Sequence, residues 1–562
     1  MGYEFVFPPP EELELRRAKL NTAGLQAYLA PVAILLLICF IRLTARLIYS
    51  NGPGAASSKA KRPVSRPSDT LTVLGRRIGW ALTTTYVPEF GPLYIQCLGA
   101  IYTFYLLYAV FSGTGHDYMH LTKQLGHVAV SQLPWQYLLA FKSHNSPITL
   151  ITGLTHERLN AVHRLFGRIV HSLLAMHAVL YLNFFVRMGN LDKRIKDKDV
   201  RLGVIAFWTM NILGILALPV VRRKAYHAIF YRSHVLLTAA LPIILWFHQP
   251  WTRWYLGQAL IFWFANGFTG TKNSVVGKVH GTEIGNTGLI ETELELEESS
   301  DWLAKVWVPG QHIYLMKKQG GLGPRNPFTV VGVEEKDGKH MISCVVRKLG
   351  AGTKQLSGTS ASADFFVEGP YGEASQYLPN LLRKENADEH VVLVAGGVGA
   401  TYTIPIYLAL LRARKSSERV KMLWIARNRD DVVWGEEYLV SQTEHEHNVD
   451  VYLTQSSDVA RVSSALSKGI NVYAGSRRSD LAEIVESVMA PKSERHQNTS
   501  LVREKTDKRD PRRIKKSHEP VTFLVCGPPD MAQAVRKAAG RHVMEYGRDV
   551  RWFEEQFGFG GS

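Results

Sequence analysis

Two stretches decide the architecture: His163-Arg164-Leu165-Phe166-Gly167-Arg168-Ile169-Val170-His171-Ser172-Leu173-Leu174-Ala175-Met176-His177, and His234-Val235-Leu236-Leu237-Thr238-Ala239-Ala240-Leu241-Pro242-Ile243-Ile244-Leu245-Trp246-Phe247-His248. Both are mainly apolar, and each carries a histidine at either end, fourteen residues apart. As α-helix, fourteen steps of about 100° return to within roughly 40° of the starting face, over a rise of about 21 Å. Each helix thus offers two imidazoles on one side, one toward each margin of a hydrocarbon core about 30 Å thick. A single apolar span separates the stretches, so the helices run parallel and their histidines lie level: His163 with His234, His177 with His248. Two facing imidazoles per level supply both axial positions of a haem iron. That is ligation for electron transfer, with no open place for oxygen on the metal. Intramembrane histidines also hydrogen-bond between helices or carry protons, which fits any one of them; two equal spacings on parallel helices favour the paired metal. His171 lies about 80° off the ligand face and is read as packing. Arg164 and Arg168 are placed either for haem propionates or as a basic flank.

Around this pair the 562-residue chain divides in composition, apolar stretches in the first half and a soluble α/β pattern in the second. Runs near the roughly 20 residues needed to span a bilayer lie at 27–49, 92–111, 133–154, 163–185, 203–221, 232–249 and 252–268. Seven spans are expected, with six as the alternative. The third is interrupted by Lys142, His144 and Pro147. Basic residues between the first two spans (Arg46, Lys59, Lys61, Arg62, Arg66, Arg76, Arg77) and at Arg222, Arg223, Lys224 and Arg232 mark cytosolic loops. That arrangement leaves the N-terminus outside and the soluble half inside. One loop disagrees: Arg187–Arg201 is rich in Lys and Arg yet falls outside, offset in part by Asp192, Asp197 and Asp199. His116, Asp117 and His120 also fall on the outer side, as a plain polar loop or a contact for a metal chelate.

From about 275 to 375 apolar and polar residues alternate between glycine breaks, as in Ile290–Leu296 and Met341–Val346, which predicts a small antiparallel barrel. It contains Pro309-Gly310-Gln311-His312, Arg325-Asn326-Pro327-Phe328-Thr329, Arg347 with Gly350, Gly352 and Thr353, and Glu368-Gly369-Pro370-Tyr371-Gly372. Each could be turn chemistry alone; in this order they read as a flavin site. From 389 the pattern becomes strand, glycine loop, helix. Val391–Ala395 leads into Gly396, Gly397, Gly399 and Thr401, where backbone N–H groups and a helix N-terminus can approach a pyrophosphate. Met422–Ala426 ends at Arg427 and Arg429, and Asn471–Ala474 is followed by Arg477 and Arg478. Guanidinium groups there favour a 2′-phosphate, hence NADPH, over ordinary surface arginine. The last strand, Thr522–Cys526, opens into Gly527-Pro528-Pro529, which places Cys526 beside a nicotinamide unless it is only a small buried hydrophobe. A charged tract at 490–518 lacks apolar periodicity and reads as a disordered insert.

The net charge of +17 gathers beside apolar spans and in that tract, and no reading motif accompanies it, so nucleic-acid binding is not expected. Four cysteines (Cys39, Cys97, Cys344, Cys526) make no disulfide framework, and no CxxC or Cys/His zinc spacing occurs. Met1–Lys19 lacks the form of a cleavable signal peptide.

With these motifs assembled, the chain resembles the ferric-chelate reductase and NADPH oxidase family over about 90–562. His163, His177, His234 and His248 match the family's haem ligands. Pro327-Phe328-Thr329 matches its flavin motif, Gly396-Gly397-Val398-Gly399 its NADPH loop and Cys526-Gly527-Pro528 its nicotinamide motif. Phe553-Glu554-Glu555-Gln556-Phe557 looks like its C-terminal segment, with Phe557 or Phe559 as the aromatic over the flavin. Asn326 stands where the family usually has histidine, and the 27–49 span is additional to its six-span core. The resemblance implies a multidomain protein. Its parts are an N-terminal segment (1–90), a transmembrane di-haem domain (91–270), an antiparallel β-barrel for FAD (273–380) and an α/β parallel-sheet NADPH domain (386–562). It further implies NADPH, FAD and two haem b as cofactors and ferric or cupric chelates as acceptors, with dioxygen the alternative. The expected location is the plasma membrane, or else the endoplasmic reticulum. A channel or scaffold without cofactors is the remote alternative.

Overall fold

The computed structural model describes residues 2–51, 70–142, 146–272, 274–296, 305–318, 325–336, 339–349, 351–354, 356, 363–442, 446–455, 462–463, 469–474, 481–489 and 520–555. Arg477, Phe557, Phe559, Gly350 and the 490–518 tract lie outside them. Two units are present, one comprising residues 1–60 with 85–272, the other residues 61–84 with 273–558.

The first unit is a helical bundle. Five of its helices are long and apolar enough to cross a membrane: Pro10–Thr44, Leu93–Phe111, His156–Arg187, Lys198–Leu216 and Ile229–His248. Their outward faces carry large exposed apolar side chains such as Leu36, Phe104, Trp208 and Leu236, the surface that lipid rather than water covers. Contacts fix the direction of each pass. Near the start of the first helix Arg16 is ion-paired with Asp117, and near its end Arg42 donates to the Ile151 carbonyl at 2.7 Å. The expected third span at 133–154 is corrected by the structure. That pass is made instead by Tyr118–Ser131 continued by Leu133–Leu139. Beyond it lies only the short helix Pro147–Thr152, because Pro134 and Pro147 each start a new helical segment and cannot continue an old one. The Arg253–Lys272 helix closes the bundle, packed beside Leu133–Leu139. The end of the bundle holding His177 and His248 is called outer; the opposite end, where the chain leaves at Lys272, is called inner.

The second unit begins with a six-stranded closed barrel: β1 Ser274–Ile284, β2 Leu289–Leu296, β3 His312–Lys317, β4 Asn326–Lys336, β5 Lys339–Arg347 and β6 Ala363–Tyr371. The order around it is β1-β2-β5-β4-β3-β6, and every pair is antiparallel. Alternation supplies its core: Ile290, Leu294 and Leu296 point inward from β2 while Glu291 and Glu293 point out. The following sheet contains β7 His390–Gly396, β8 Val420–Ala426, β9 Val449–Leu453, β10 Val462–Ser463, β11 Ile470–Ala474, β12 Val521–Cys526 and β13 Val550–Glu555. Its order is β10-β11-β9-β8-β7-β12-β13, parallel except at β10. Strand order reverses at β7, and the crevice at the carboxyl ends of strands flanking such a switch is where open α/β sheets bind ligands. The Thr70–Thr84 helix packs in this unit, with Trp80 against Gly540 and Trp552.

Candidate functional site

In the bundle, His163 and His177 lie on the His156–Arg187 helix, and His234 and His248 on or at the end of Arg232–His248. The His163 and His234 rings face each other with centroids 6.4 Å apart. Two metal–nitrogen bonds of about 2 Å, plus about 1 Å from each nitrogen to its ring centre, span nearly that distance. His177 and His248 are electrostatic neighbours at the outer level. Backbone carbonyls orient three of the four rings. His163 Nδ1 donates to Gln136 O at 3.1 Å, His177 Nδ1 to Thr122 O at 2.7 Å and His248 Nδ1 to Asp199 O at 2.7 Å. A carbonyl only accepts, so Nδ1 carries the proton and Nε2 keeps its lone pair, the tautomer a metal needs. Glycines on neighbouring helices make room: a Cβ at Gly126 would come within 2.8 Å of the His177 ring, and one at Gly203 within 2.8 Å of the His248 ring. The inner pair therefore fits an iron held between two imidazoles, and the outer pair offers the same donor type in the same tautomer.

The flanking residues sort themselves out. His171 Nε2 meets Asn211 Oδ1 at 3.2 Å, an interhelical packing bond. Arg164 shares Glu89 with Arg222, and Arg168 stacks over Phe90. Asp117 accepts from His120 N at 3.0 Å as a helix cap and pairs with Arg16, while His120 is buried in the helix that follows.

In the second unit the glycine loop closes on the Cys526 turn. A Cβ at Gly399 would lie 2.2 Å from the Cys526 carbonyl oxygen, and one at Gly396 2.6 Å from Pro528 and 3.2 Å from Gly527. Gly397 instead has φ +55°, where only glycine is unstrained, and a Cβ there would make an ordinary contact with Arg347 Nη2 at 3.7 Å. Thr401 Oγ1 donates to Val398 O at 2.9 Å within the loop. Fully buried Trp424 donates from Nε1 to Gly397 O at 3.0 Å, propping the loop from β8. Two guanidinium groups converge on Asp431, Arg347 at 3.9 Å and Arg427 at 3.6 Å. Arg427 is half exposed at the end of β8, whereas Arg429 is held in a two-point pair by buried Glu436.

Cys526 is buried at the end of β12, in register with Ala395 beside the loop. Burial, then the carboxylates of Glu555 and Glu554, hold its thiol well above the usual range. Next to it Tyr402 and Tyr377 join hydroxyls, and Tyr377 stacks on Phe553 at 4.3 Å. On the barrel, His312 lies on β3, with Nδ1 3.7 Å from Glu555 Oε1, and Asn326, Pro327, Phe328 and Thr329 form the start of β4 paired to it. Thr329 Oγ1 is buried with no hydrogen-bond partner among the described residues. An orphaned hydroxyl at a barrel edge is the kind of group a bound flavin satisfies. Gly352 and Thr353 sit in the short helix after Arg347, where Thr353 Oγ1 accepts from Leu349 N at 2.9 Å. Gly527 and Pro528 form the turn after Cys526, with Pro528 capping the next helix.

Residues 125–245 match the family described as ferric reductase like transmembrane component, and residues 388–540 match the ferric reductase NAD binding domain. The two matched segments fall on the helical bundle and on the parallel-sheet domain, the parts that carry the histidine pairs and the glycine loop. A probable cell surface ferric reductase of Aspergillus oryzae is 25% identical, over 57% of this chain and 45% of its own. A probable metalloreductase of Candida dubliniensis is 26% identical, over 63% of this chain and 64% of its own. The chain thus covers less than two thirds of the length of these curated relatives. A ferredoxin NADP+ reductase from Neisseria gonorrhoeae with bound FAD and NADP aligns with 51% of this chain and 99% of its own, at 15% identity and a TM-score of 0.33. In this chain the barrel and parallel-sheet domain suit a flavin and a nicotinamide cofactor. Sequence reasoning did not single out Trp424, Tyr377, Tyr402 or Asp431 as members of the site. The only available signal was position: Trp424 lies in the β8 run, Tyr402 one residue past the loop.

Proposed function

We propose that this chain is an NADPH-dependent reductase that moves electrons across a membrane to ferric or cupric chelates, with FAD at the barrel and haem b between each histidine pair. The observation that carries the reading is the level pair His163 and His234, ring centres 6.4 Å apart on parallel membrane helices. When bound, the three kinds of cofactor supply hydride donation, conversion of an electron pair to single electrons, and one-electron transfer through the lipid.

The protein binds, orients and insulates. Gly397, its neighbouring backbone and the N-terminus of the Ala400–Arg414 helix would cradle the pyrophosphate, with Arg347 and Arg427 supplying positive charge and Arg427 placed for a 2′-phosphate. Arg477 would join it. Cys526, Gly527 and Pro528 form the wall for the nicotinamide; as a neutral thiol Cys526 offers bulk and no competing nucleophile. His312, Asn326, Pro327, Phe328, Thr329, Gly352 and Thr353 would hold the flavin and Phe557 would cover it. His163, His177, His234 and His248 would ligate iron through Nε2. The plasma membrane is the proposed location, since metal acquisition needs the acceptor outside.

Membranes containing the protein should reduce ferric–EDTA with NADPH at a rate insensitive to superoxide dismutase. Complete inhibition by the dismutase would transfer the acceptor to dioxygen, and failure to oxidise NADPH under any acceptor would remove the reading.

A further inference from the structure

We propose that the basic loop Arg187–Arg201 is a docking collar that selects anionic metal chelates at the outer histidine pair, an inference that rests on the transmembrane reductase reading. The loop contains six basic and three acidic side chains, a net of three positive charges. It joins the outer ends of the His156–Arg187 and Lys198–Leu216 helices, so it lies on the side where the orientation rule disfavours Lys and Arg. Retaining that charge there opposes insertion, and a substrate of opposite sign gives it a use.

The loop is built into the histidine site. Asp199 holds His248 through its carbonyl at 2.7 Å, and Gly203, one turn on, leaves room for that ring, which a Cβ there would meet at 2.8 Å. On the other side Arg194 stacks over Phe185 at 5.6 Å, Phe185 packs on Tyr181 at 5.6 Å, and Tyr181 packs on His177 at 5.1 Å. Arg194 is committed to Asp197. Lys193, Lys196, Lys198 and Arg201 are exposed, and none has an ion-pair partner among the described residues. Asp192 and Asp199 offset part of this charge, the loop keeps its net of three positive charges, and a rim of one net sign around a site raises the local concentration and encounter rate of oppositely charged ligands.

Chelate chemistry supplies the sign. Ferric ion is a hard cation held by oxygen ligands, and polycarboxylate ligands that saturate it leave a net anion. Each NADPH would release one proton and two electrons, reducing two ferric chelates to ferrous chelates at the collar; no bond to the protein forms. The chelate's own negative charge, not metal ligation by the loop, is what the lysines recognise.

The test uses full-length protein in phosphatidylcholine nanodiscs, with ferric–EDTA as anionic acceptor and hexaammineruthenium(III) as cationic acceptor. Raising salt to about 0.3 M should lower kcat/KM for ferric–EDTA about threefold or more and raise or preserve it for the ruthenium complex. Replacing Lys193, Lys196, Lys198 and Arg201 by Gln should raise KM for ferric–EDTA about threefold or more and lower it for the cation. Parallel responses of the two acceptors, in salt or on substitution, would overturn the collar while leaving the reductase intact. A response that appears only when anionic lipid is added would assign the charge to the bilayer and likewise overturn it. Reduction of neither acceptor would remove the reductase reading and the collar with it.

Discussion

Cys526 shows what burial does to a group that chemistry might otherwise recruit. Its thiol is enclosed at the end of β12 and faces Glu555 and Glu554, so burial first and the two carboxylates second disfavour the thiolate. The side chain therefore stays neutral through the range near pH 8.5 where a free cysteine ionises. Cys526→Ala is expected to slow NADPH-driven flavin bleaching about tenfold, roughly 1.4 kcal/mol of lost positioning. The stopped-flow rate of the native protein should show no inflection near pH 8.5; an inflection that Cys526→Ala abolished would reveal an ionising thiol and refute this role. Cys344, in the barrel core, makes a stability statement. Burial pushes its thiol up from 9.0 to about 12, against a smaller downward pull from Thr292. Below pH 9 the thiol is neutral folded or unfolded, whereas between about 9 and 12 only the unfolded chain loses the proton, so stability falls as pH rises through that window. Cys344→Ala should lower Tm at neutral pH yet show a shallower decline between pH 9 and 11. An equal slope in both proteins would exclude the thiol as a source.

At the scale of elements, the histidine helices were legible because their signal is periodic and independent of surroundings, and the barrel because its strands alternate as half-buried strands must. The Tyr118–Leu139 pass was not legible. Hydropathy detects helices that face lipid, but nearly every residue from Met119 to Leu139 is covered by protein. Such a helix can carry Thr122, Gln124 and Ser131 because backbone carbonyls take up their donors. Gln124 donates to Ala109 O at 2.7 Å and Ser112 O at 2.9 Å, and Thr122 to Tyr118 O at 2.8 Å. The apolar run at 133–154 imitated a span because it supplied composition without continuity. Much of the nucleotide site was equally invisible: Trp424 props the glycine loop through the register of β7 and β8, and Asp431 gathers Arg347 and Arg427 from separate elements, which no local pattern reveals. The misplaced pass matters functionally, since Thr122 and Gly126 are what seat His177. Gly126→Val would put a branched side chain where a single Cβ already meets the ring at 2.8 Å. Its expected result is loss of about half the dithionite-reduced haem absorbance, with NADPH-driven flavin bleaching retained and chelate reduction lowered about tenfold or more. Full haem content in that variant would show that His177 is not a ligand.

For the whole molecule, the passes give each loop a side. The Pro10–Asn51 helix runs from the outer to the inner end, as its contacts with Asp117 and Ile151 require. The Arg253–Lys272 helix descends again to the inner end, from which the chain continues into its second unit. The Lys198–Leu216 helix, long and apolar enough to cross a membrane, separates Lys193 from Lys224. With Cys39 and Cys97 replaced by Ser to remove exposed thiols, Lys193→Cys should react with a membrane-impermeant maleimide on intact cells. Lys224→Cys should react only after permeabilisation. Both positions labelling from one side would mean that the Lys198–Leu216 helix does not cross, and the two histidine levels could not then lie on opposite margins of the bilayer. Proteoliposomes supply the functional counterpart: NADPH on the side of Lys224 should drive reduction of an impermeant ferric chelate on the side of Lys193. The reverse placement should give no turnover, because neither the nucleotide nor the chelate can cross the lipid to reach its own end of the bundle.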